Sequence, residues 1–241
     1  MELLRVKNVT KYFGGLVALK DVTFSLRPGQ IKSIIGPNGA GKTTLFNVIS
    51  GNYAPDAGDV FLEDRKISGE LPEGIARSGV ARTFQVVKPF RNLTVLENVL
   101  IGSLNQIPKV KLARQKAEEV LGYIGMAEKA NWPARNLTLE DLKRLELGRA
   151  LAIHPKLLLL DEVMAGLNPT ETEEFMGLIR RIRKDGVTIL LIEHVMHAVL
   201  SLSDEVFVLN YGEKIYEGDA EGAMKDPKVI EAYLGEESFL A

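Results

Sequence analysis

Cysteine is absent from this sequence of 241 residues, which excludes disulfide bonds and thiol chemistry and fits a reducing compartment. An excess of basic charge is also lacking, because 30 Lys and Arg residues stand against 32 Asp and Glu residues, for a net charge of −2. Nucleic-acid-binding domains usually carry a basic face, so the composition gives no support to DNA or RNA as a partner. The remaining composition, with 46% hydrophobic and 26% charged residues, is that of an ordinary globular chain of one domain.

Long apolar runs are missing as well. The longest, Leu157–Leu160 and Val187–Ile192, are far shorter than the ~18 residues that a membrane-spanning helix needs. The N-terminal segment carries charges at Glu2 and Arg5 and lacks the apolar stretch of a signal peptide. We therefore expect a soluble protein that reaches a membrane only through a partner.

Short runs rich in apolar residues predict the strands. Most of them are nearly continuous in apolar character, which is typical of central strands in a parallel sheet. The last two flank residues 210–213, which predict a hairpin turn. The predicted strands are Val22–Leu26, Ile31–Ile35, Leu157–Leu160, Val187–Ile192, Val206–Leu209 and Lys214–Tyr216.

Helical periodicity lies between these strands. Thr170 and Glu173 predict a capping box at the start of a helix that ends before Gly186. The alternation of strands and helices indicates an α/β fold with a largely parallel sheet. One further helical face is formed by Val110, Ala113, Ala117, Val120, Leu121 and Ile124.

A glycine-rich segment, Gly36–Thr43, fits the phosphate-loop pattern G-x-x-x-x-G-K-[ST] without a gap. The strand before it and the apolar helix predicted over Thr44–Ile49 supply the strand–loop–helix context that the pattern requires. Glycines let successive backbone N–H groups point inward, and the helix N-terminus adds positive potential toward a polyphosphate. We therefore predict that Lys42 binds the β- and γ-phosphates of ATP and that the Thr43 hydroxyl binds Mg²⁺. The predicted nucleotide-binding residues of the loop are Gly36, Pro37, Asn38, Gly39, Ala40, Gly41, Lys42, Thr43 and Thr44.

Two carboxylates follow the apolar run Leu157–Leu160. Asp161 stands at the predicted strand end and is placed to bind Mg²⁺, directly or through water. Glu162 comes next and could polarise an attacking water. Ligands of open α/β sheets bind at the carboxyl ends of strands, where the phosphate loop also lies, so the two motifs predict one hydrolytic site.

The order of these pieces resembles the nucleotide-binding subunits of ABC transporters over nearly the whole chain. Gln85, in Thr-Phe-Gln, resembles the Q-loop residue that senses Mg²⁺ and links the site to the membrane partner. His194 resembles the switch histidine that contacts the γ-phosphate. Phe13 falls where the family stacks an aromatic ring on adenine, with Tyr12 as the alternative. On this resemblance, we expect Glu162, His194 and Gln85 to be catalytic.

The resemblance also implies an arrangement of subdomains around a P-loop NTPase core with a mainly parallel sheet. We expect an N-terminal antiparallel β-subdomain, an inserted α-helical subdomain that carries the signature, and a C-terminal tail. Phe90, Leu93 and Val95 are candidates for contact with a coupling helix of the permease, although local packing explains them equally well. The expected ranges are 1–30 and 56–82 for the β-subdomain, 31–55 and 150–217 for the core, 90–149 for the helical part, and 218–241 for the tail.

The signature departs from the family pattern Leu-Ser-Gly-Gly-Gln. It is represented by Leu137–Asp141, in which Thr138 keeps a hydroxyl but Glu140 and Asp141 would bring carboxylates near a phosphate. In this family two subunits pair head to tail, and the signature of one covers the ATP of the other. A chain with an intact phosphate loop and an altered signature therefore suits a dimer with a non-identical ATPase, with a homodimer as the alternative. The opposing interpretation is that both carboxylates turn to solvent and change little.

Finer similarity indicates one branch of the family, the importers of branched-chain amino acids. It rests on three segments: Asp161–Pro169, including Val163 and Asn168 in place of the usual proline and aspartate, Phe13–Ala18, and Ala81–Gln85. The resemblance implies permease subunits and a second ATPase subunit as partners, at the cytoplasmic face of the membrane. The alternatives are a soluble ABC ATPase that does not act in transport, an ATP-binding regulatory subunit with weak hydrolysis, and a small P-loop kinase.

Overall fold

The computed structural model describes residues 1–85 and 87–233, and the structural statements below concern those residues. The strands, in chain order, are β1 (Leu4–Phe13), β2 (Leu16–Leu26), β3 (Ile31–Ile35), β4 (Ala57–Leu62), β5 (Arg65–Lys66), β6 (Val80–Arg82), β7 (Leu157–Asp161), β8 (Thr188–Ile192), β9 (Glu205–Asn210) and β10 (Glu213–Gly218). The helices are α1 (Lys42–Ile49), α2 (Pro72–Arg77), α3 (Val95–Gln106), α4 (Val110–Tyr123), α5 (Leu139–Leu151), α6 (Pro169–Lys184), α7 (Met196–Leu202), α8 (Ala220–Lys225) and α9 (Pro227–Tyr233).

Two sheets organise the described chain. The larger has the order β10-β9-β3-β8-β7-β6, and its pairs are parallel except for the β9–β10 hairpin. The smaller is antiparallel, with the order β2-β1-β4-β5. This arrangement confirms the predicted α/β fold with a mainly parallel sheet and an N-terminal antiparallel part.

Strand β7 shows why the parallel sheet is covered on both faces. Its side chains alternate between two hydrophobic clusters, as the two-residue period of a strand requires. Leu158 and Leu160 lie in the cluster that contains Phe175 of α6, whereas Leu157 and Leu159 lie in the cluster that contains α1 and the antiparallel sheet. Helices on opposite faces therefore fix the carboxyl edge of the sheet from both sides.

Strand β6 corrects one expected boundary. The sequence places residues 56–82 in the antiparallel part, but Val80–Arg82 pairs in parallel with β7. The run is only three residues long and includes a charged side chain, so its sequence carries no strand pattern. Its place is decided by pairing with a strand that is distant along the chain. The expected C-terminal tail, 218–241, contains α8 and α9, and its last residues lie outside the described part.

The start of α6 corrects a second prediction. The capping box consists of Asn168 and Glu171 and not of Thr170 and Glu173. The Asn168 side chain accepts a hydrogen bond from the Glu171 N–H (3.0 Å), and the Glu171 carboxylate accepts one from the Asn168 N–H (2.9 Å). Pro169 then takes the first helical position, where its missing N–H costs nothing.

Helices α3, α4 and α5 pack together as the predicted helical part. Helix α3 begins with a capping box in which Thr94 accepts from the Glu97 N–H. Val95, a candidate for either permease contact or local packing, is fully buried and packs in the core, which favours local packing. Phe90 is 46% exposed and Leu93 is partly buried. No helix among the described residues has the length and apolar character needed to cross a membrane.

Candidate nucleotide-binding and hydrolysis site

The phosphate loop joins β3 to α1 at the carboxyl edge of the parallel sheet. Gly36 has φ = +147°, and a Cβ there would collide with the backbone carbonyl of Leu209. Gly41 has φ = +104°, and a Cβ there would lie 2.5 Å from the Ala18 carbonyl oxygen. Glycine is therefore required at positions 36 and 41, because another chain segment's backbone approaches too closely for a Cβ. The Lys42 ammonium group lies inside the loop and donates to the Gly36 and Pro37 carbonyl oxygens at 2.5 and 2.9 Å.

Asp161 ends β7 and is almost completely buried. Its Oδ2 accepts a hydrogen bond from the Arg82 guanidinium at 2.9 Å, and its Oδ1 has no hydrogen-bond partner. Burial raises the pKa of Asp161, and the Arg82 guanidinium opposes that rise. Arg82 also donates a hydrogen bond to the Asn47 side chain at 2.6 Å, and its guanidinium lies 5.6 and 5.1 Å from the ring centroids of Phe46 and Phe84. One carboxylate oxygen is thus fixed while the other remains available to a cation.

Glu162 follows Asp161 with a left-handed backbone, φ = +50°, which is uncommon outside glycine. Its Oε1 lies 2.9 Å from the Nε2 of His194, and its Oε2 accepts a hydrogen bond from the Gln85 amide at 2.6 Å. Three residues that were expected to be catalytic, from three different parts of the chain, therefore meet at one carboxylate.

Two adjoining cavities lie against these groups. The first, of about 370 Å³, is lined by the phosphate loop together with Phe13, Gln85 and Glu162. The second, of about 480 Å³, is lined by Thr43, Gln85 and Asp161, among others. Phe13 is 41% exposed and makes an edge-on contact with Tyr53, with ring centroids 5.2 Å apart. Every predicted site residue except His194 lines one of the cavities or belongs to the loop, and His194 contacts Glu162.

The signature segment forms an ordinary capped helix start. The Thr138 hydroxyl accepts a hydrogen bond from the Asp141 N–H at 3.2 Å. The Asp141 carboxylate is buried and accepts two bonds from Lys129, at 2.6 and 2.7 Å, while Glu140 pairs with Arg144 at 2.7 Å. Both carboxylates that the sequence suggested would face a phosphate are therefore neutralised within their own chain. Neither turns freely to solvent.

Comparison with known proteins decides the family. The family model described as ABC transporter matches residues 19–165, which is more than half of the chain. The chain belongs to the ABC transporter family. It is 43% identical to the high-affinity branched-chain amino acid transport ATP-binding protein LivG of Escherichia coli K12, over 97% of this chain and 98% of that protein. It is 37% identical to a probable LivG of Methanocaldococcus jannaschii, over 98% of each.

Solved ABC transporter cassettes share the fold throughout. An ATP-binding cassette in its ADP conformation superposes with a TM-score of 0.91 at 36% identity, over 98% of this chain and 100% of that one. A dimeric cassette in a post-hydrolysis state, bound to ADP and phosphate, gives a TM-score of 0.80 at 28% identity, over 90% of this chain and 98% of that one. The predicted family, fold and ATPase activity are confirmed.

Several residues of this ABC ATPase site escaped the sequence interpretation. Arg82, Lys143, Glu146 and Glu193 all contact the catalytic segments, as the hydrogen bonds show. The signal for Arg82 and Glu193 was a charged residue next to apolar strand residues, which predicts a buried charge with a specific partner. Lys143 and Glu146 lie on a helix with mixed polarity, and nothing local distinguishes them.

Proposed function

We propose that this ABC ATPase binds ATP with Mg²⁺ and hydrolyses it as one of two unlike subunits that drive an importer of branched-chain amino acids. The meeting of Gln85 and His194 on the Glu162 carboxylate, beside the phosphate loop, carries the hydrolytic part of the proposal. The amino-acid part is supported by the names of the relatives and by the three sequence segments shared with that branch.

The residues that face the second cavity fit Mg²⁺. Asp161 offers a buried oxygen without a partner, and Thr43 and Gln85 line the same cavity. Mg²⁺ usually takes one or two protein oxygens and keeps water and substrate phosphates as its other ligands. When bound, the ion neutralises charge on the phosphates.

Hydrolysis is a transfer of the γ-phosphoryl group to water. The water oxygen attacks the γ-phosphorus in line, and the bond to the β-phosphate oxygen breaks to release ADP. Glu162 is placed to accept a proton from, or to orient, that water. His194 contacts one oxygen of this carboxylate and would contact the γ-phosphate, and Gln85 donates a hydrogen bond to the other oxygen. Lys42 and the loop amides bind the phosphates, and Phe13 stacks on the base.

A groove beside Gln85 supports the proposed permease contact. A cavity of about 270 Å³ is lined by Phe84, Ile101 and Arg149, among others. Phe84 and Ile101 are 53% and 42% exposed, and the Arg149 guanidinium lies 5.2 Å from the ring centroid of exposed Phe90. Exposed apolar side chains beside one groove favour a protein partner. The permease would hold the subunit at the cytoplasmic face of the membrane.

The signature supports an unlike ATPase partner. Leu139 occupies a usual glycine position and is 49% exposed, so an apolar side chain would face the nucleotide of the opposing subunit. Isolation from membranes in mild detergent should recover permease subunits and a second, non-identical ATPase. Vesicles reconstituted with that complex should take up a branched-chain amino acid only with ATP inside the compartment that holds the ATPases.

Two results would contradict the proposal in different ways. Full, cooperative ATPase activity of the purified chain alone, unaffected by Leu139→Gly with Glu140→Gly, would refute the unlike partner. Uptake of another solute, with branched-chain amino acids failing to compete, would refute the substrate while leaving the ATPase role intact.

A further inference from the structure

Three charged side chains are buried around α5 without a direct role in the proposed hydrolysis. Lys143 is 5% exposed, Glu146 is 6% exposed and Glu193, at the end of β8, is 1% exposed. Long charged side chains are almost never buried unless they have specific partners. Their partners here are segments that carry the proposed catalytic residues.

Lys143 holds the backbone of Glu162. Its ammonium group donates a hydrogen bond to the Glu162 carbonyl oxygen at 3.1 Å, and the Glu162 N–H donates to the Ile192 carbonyl oxygen at 2.9 Å. Glu162 has a left-handed backbone that a residue with a side chain adopts only when its surroundings impose it. Lys143 is therefore part of what fixes that conformation and, with it, the direction of the carboxylate.

Glu146 holds the segment that carries Gln85, the residue that donates a hydrogen bond to the Glu162 carboxylate. It lies one helical turn after Lys143, and its carboxylate accepts a hydrogen bond from the Phe84 N–H at 2.9 Å. The next residue, Gln85, donates to the Glu162 carboxylate at 2.6 Å. One turn of α5 thus anchors both members of the Gln85–Glu162 contact.

Glu193 completes the cluster. Its two oxygens accept hydrogen bonds from the N–H groups of Met164 and His194, at 2.9 and 3.3 Å. Burial lowers the pKa of Lys143, and the nearby carboxylates of Glu193, Glu146 and Glu162 oppose that effect. The Lys143 ammonium group thus lies near three acidic residues, of which Glu146 belongs to α5, Glu162 follows β7 and Glu193 follows β8.

We propose that Lys143 and Glu146 are positioning residues for ATP hydrolysis. Lys143 holds the backbone of Glu162 and Glu146 holds the segment that carries Gln85, so that the two side chains keep their hydrogen bond. This inference rests on the proposed catalytic role of Glu162. Thr138, the N-cap of α5, belongs to the signature segment, which would serve the opposing subunit in the proposed dimer. The two anchors would therefore also connect that segment to this chain's own hydrolytic carboxylate.

The test compares variants within the assembled transporter. Lys143→Met removes the donor and keeps the length of the stem, and Lys143→Arg keeps a donor. Lys116→Met is the control, in a partly exposed lysine of α4 that pairs with Glu119 and not with the site. We expect Lys143→Met to lower kcat by about tenfold or more with ATP affinity within about twofold of the unmodified value, because misplacement of a catalytic group acts on the chemical step. Lys143→Arg should restore part of kcat, and Lys116→Met should match the unmodified protein.

Two variants of Glu146 test the proposal independently, in case Lys143→Met fails to fold. Glu146→Gln preserves an acceptor for the Phe84 N–H, whereas Glu146→Met does not. We expect the Gln variant to stay within about threefold of the unmodified kcat and the Met variant to fall about tenfold, again at constant ATP affinity. Equal activity of the two folded variants, or parallel losses of affinity and kcat, would overturn the positioning role.

Failure of this inference can be separated from failure of the proposed function. If Glu162→Gln still hydrolyses ATP normally, the assignment of Glu162 is wrong and the inference loses its basis. If Glu162→Gln is inactive but folded Lys143→Met turns over at the unmodified rate, only the positioning inference is refuted.

Discussion

The ion pair between Arg82 and Asp161 allows a quantitative prediction for the substitution Arg82→Met. The two side chains are 7% and 1% exposed and lie 2.9 Å apart. Removal of one partner from a buried pair leaves the other charge uncompensated, which typically costs about 3–5 kcal/mol. Methionine can keep the apolar contact with Phe46 and Phe84 but loses the bonds to Asp161 and Asn47. We therefore expect Arg82→Met to lower the free energy of unfolding by about 3–5 kcal/mol.

The assay is urea unfolding of the nucleotide-free protein, followed by circular dichroism, for a double-mutant cycle. Its corners are the unmodified chain, Arg82→Met, Asp161→Asn and the double variant. Because the cost arises from the unpaired carboxylate, Arg82→Met should cost at least about 1 kcal/mol less when Asp161→Asn is already present. The loss should also shrink as the pH falls, because protonation removes the buried charge of Asp161.

Arg114→Met supplies the matched control. Arg114 pairs with Glu118 on the surface of α4, with both side chains more than half exposed, and should contribute less than about 1 kcal/mol. Equal costs for Arg82→Met and Arg114→Met, or no coupling between Arg82 and Asp161 in the cycle, would refute the argument from burial.

Three other residues of the site, Glu193, Gly36 and Phe13, each allow a separate test. Burial raises the pKa of Glu193 from 4.5 to about 7. Between these pH values the folded chain retains a proton on Glu193 that the unfolded chain has lost. The free energy of unfolding should therefore fall by roughly 3 kcal/mol as the pH rises from 4.5 to 7. Glu193→Gln should flatten that part of the stability profile in thermal melts, and an unchanged slope would contradict it. Gly36→Ala should abolish binding of a fluorescent ATP analogue, because its Cβ would collide with the Leu209 carbonyl, whereas Gly177→Ala, with open space around its Cβ, should bind normally. Phe13→Ala should weaken ATP binding in calorimetry by about 1–3 kcal/mol with little change in kcat, as loss of stacking on a base does, and a fall in kcat alone would contradict the stacking role.

Local sequence patterns were sufficient to predict the structure of segments whose conformation depends mainly on their own residues. The phosphate loop was predictable because its glycines, the preceding strand and the following helix are contiguous along the chain. The central strands were predictable because burial on both faces leaves continuous apolar runs such as Leu157–Leu160.

Contacts between distant segments were not predictable in this way. Arg82 meets Asp161 only because β6 pairs with β7, across 79 positions of sequence. Lys143 lies in α5 and Glu162 directly follows β7, so only the tertiary fold brings the two residues into hydrogen-bond contact. The error at α6 has a different cause: Asn168 with Glu171 and Thr170 with Glu173 both fit a capping box, and the proline between the candidates selects the first.

Glu162→Gln tests whether Glu162 is the hydrolytic carboxylate of this ABC ATPase. Single-turnover hydrolysis of radiolabelled ATP should be measured in the assembled transporter together with the ATP dissociation constant. We expect ATP affinity to stay within about twofold while hydrolysis in this chain's site falls by at least about 100-fold, since the amide cannot accept the proton. Hydrolysis at the unmodified rate would show that Glu162 is not the hydrolytic carboxylate.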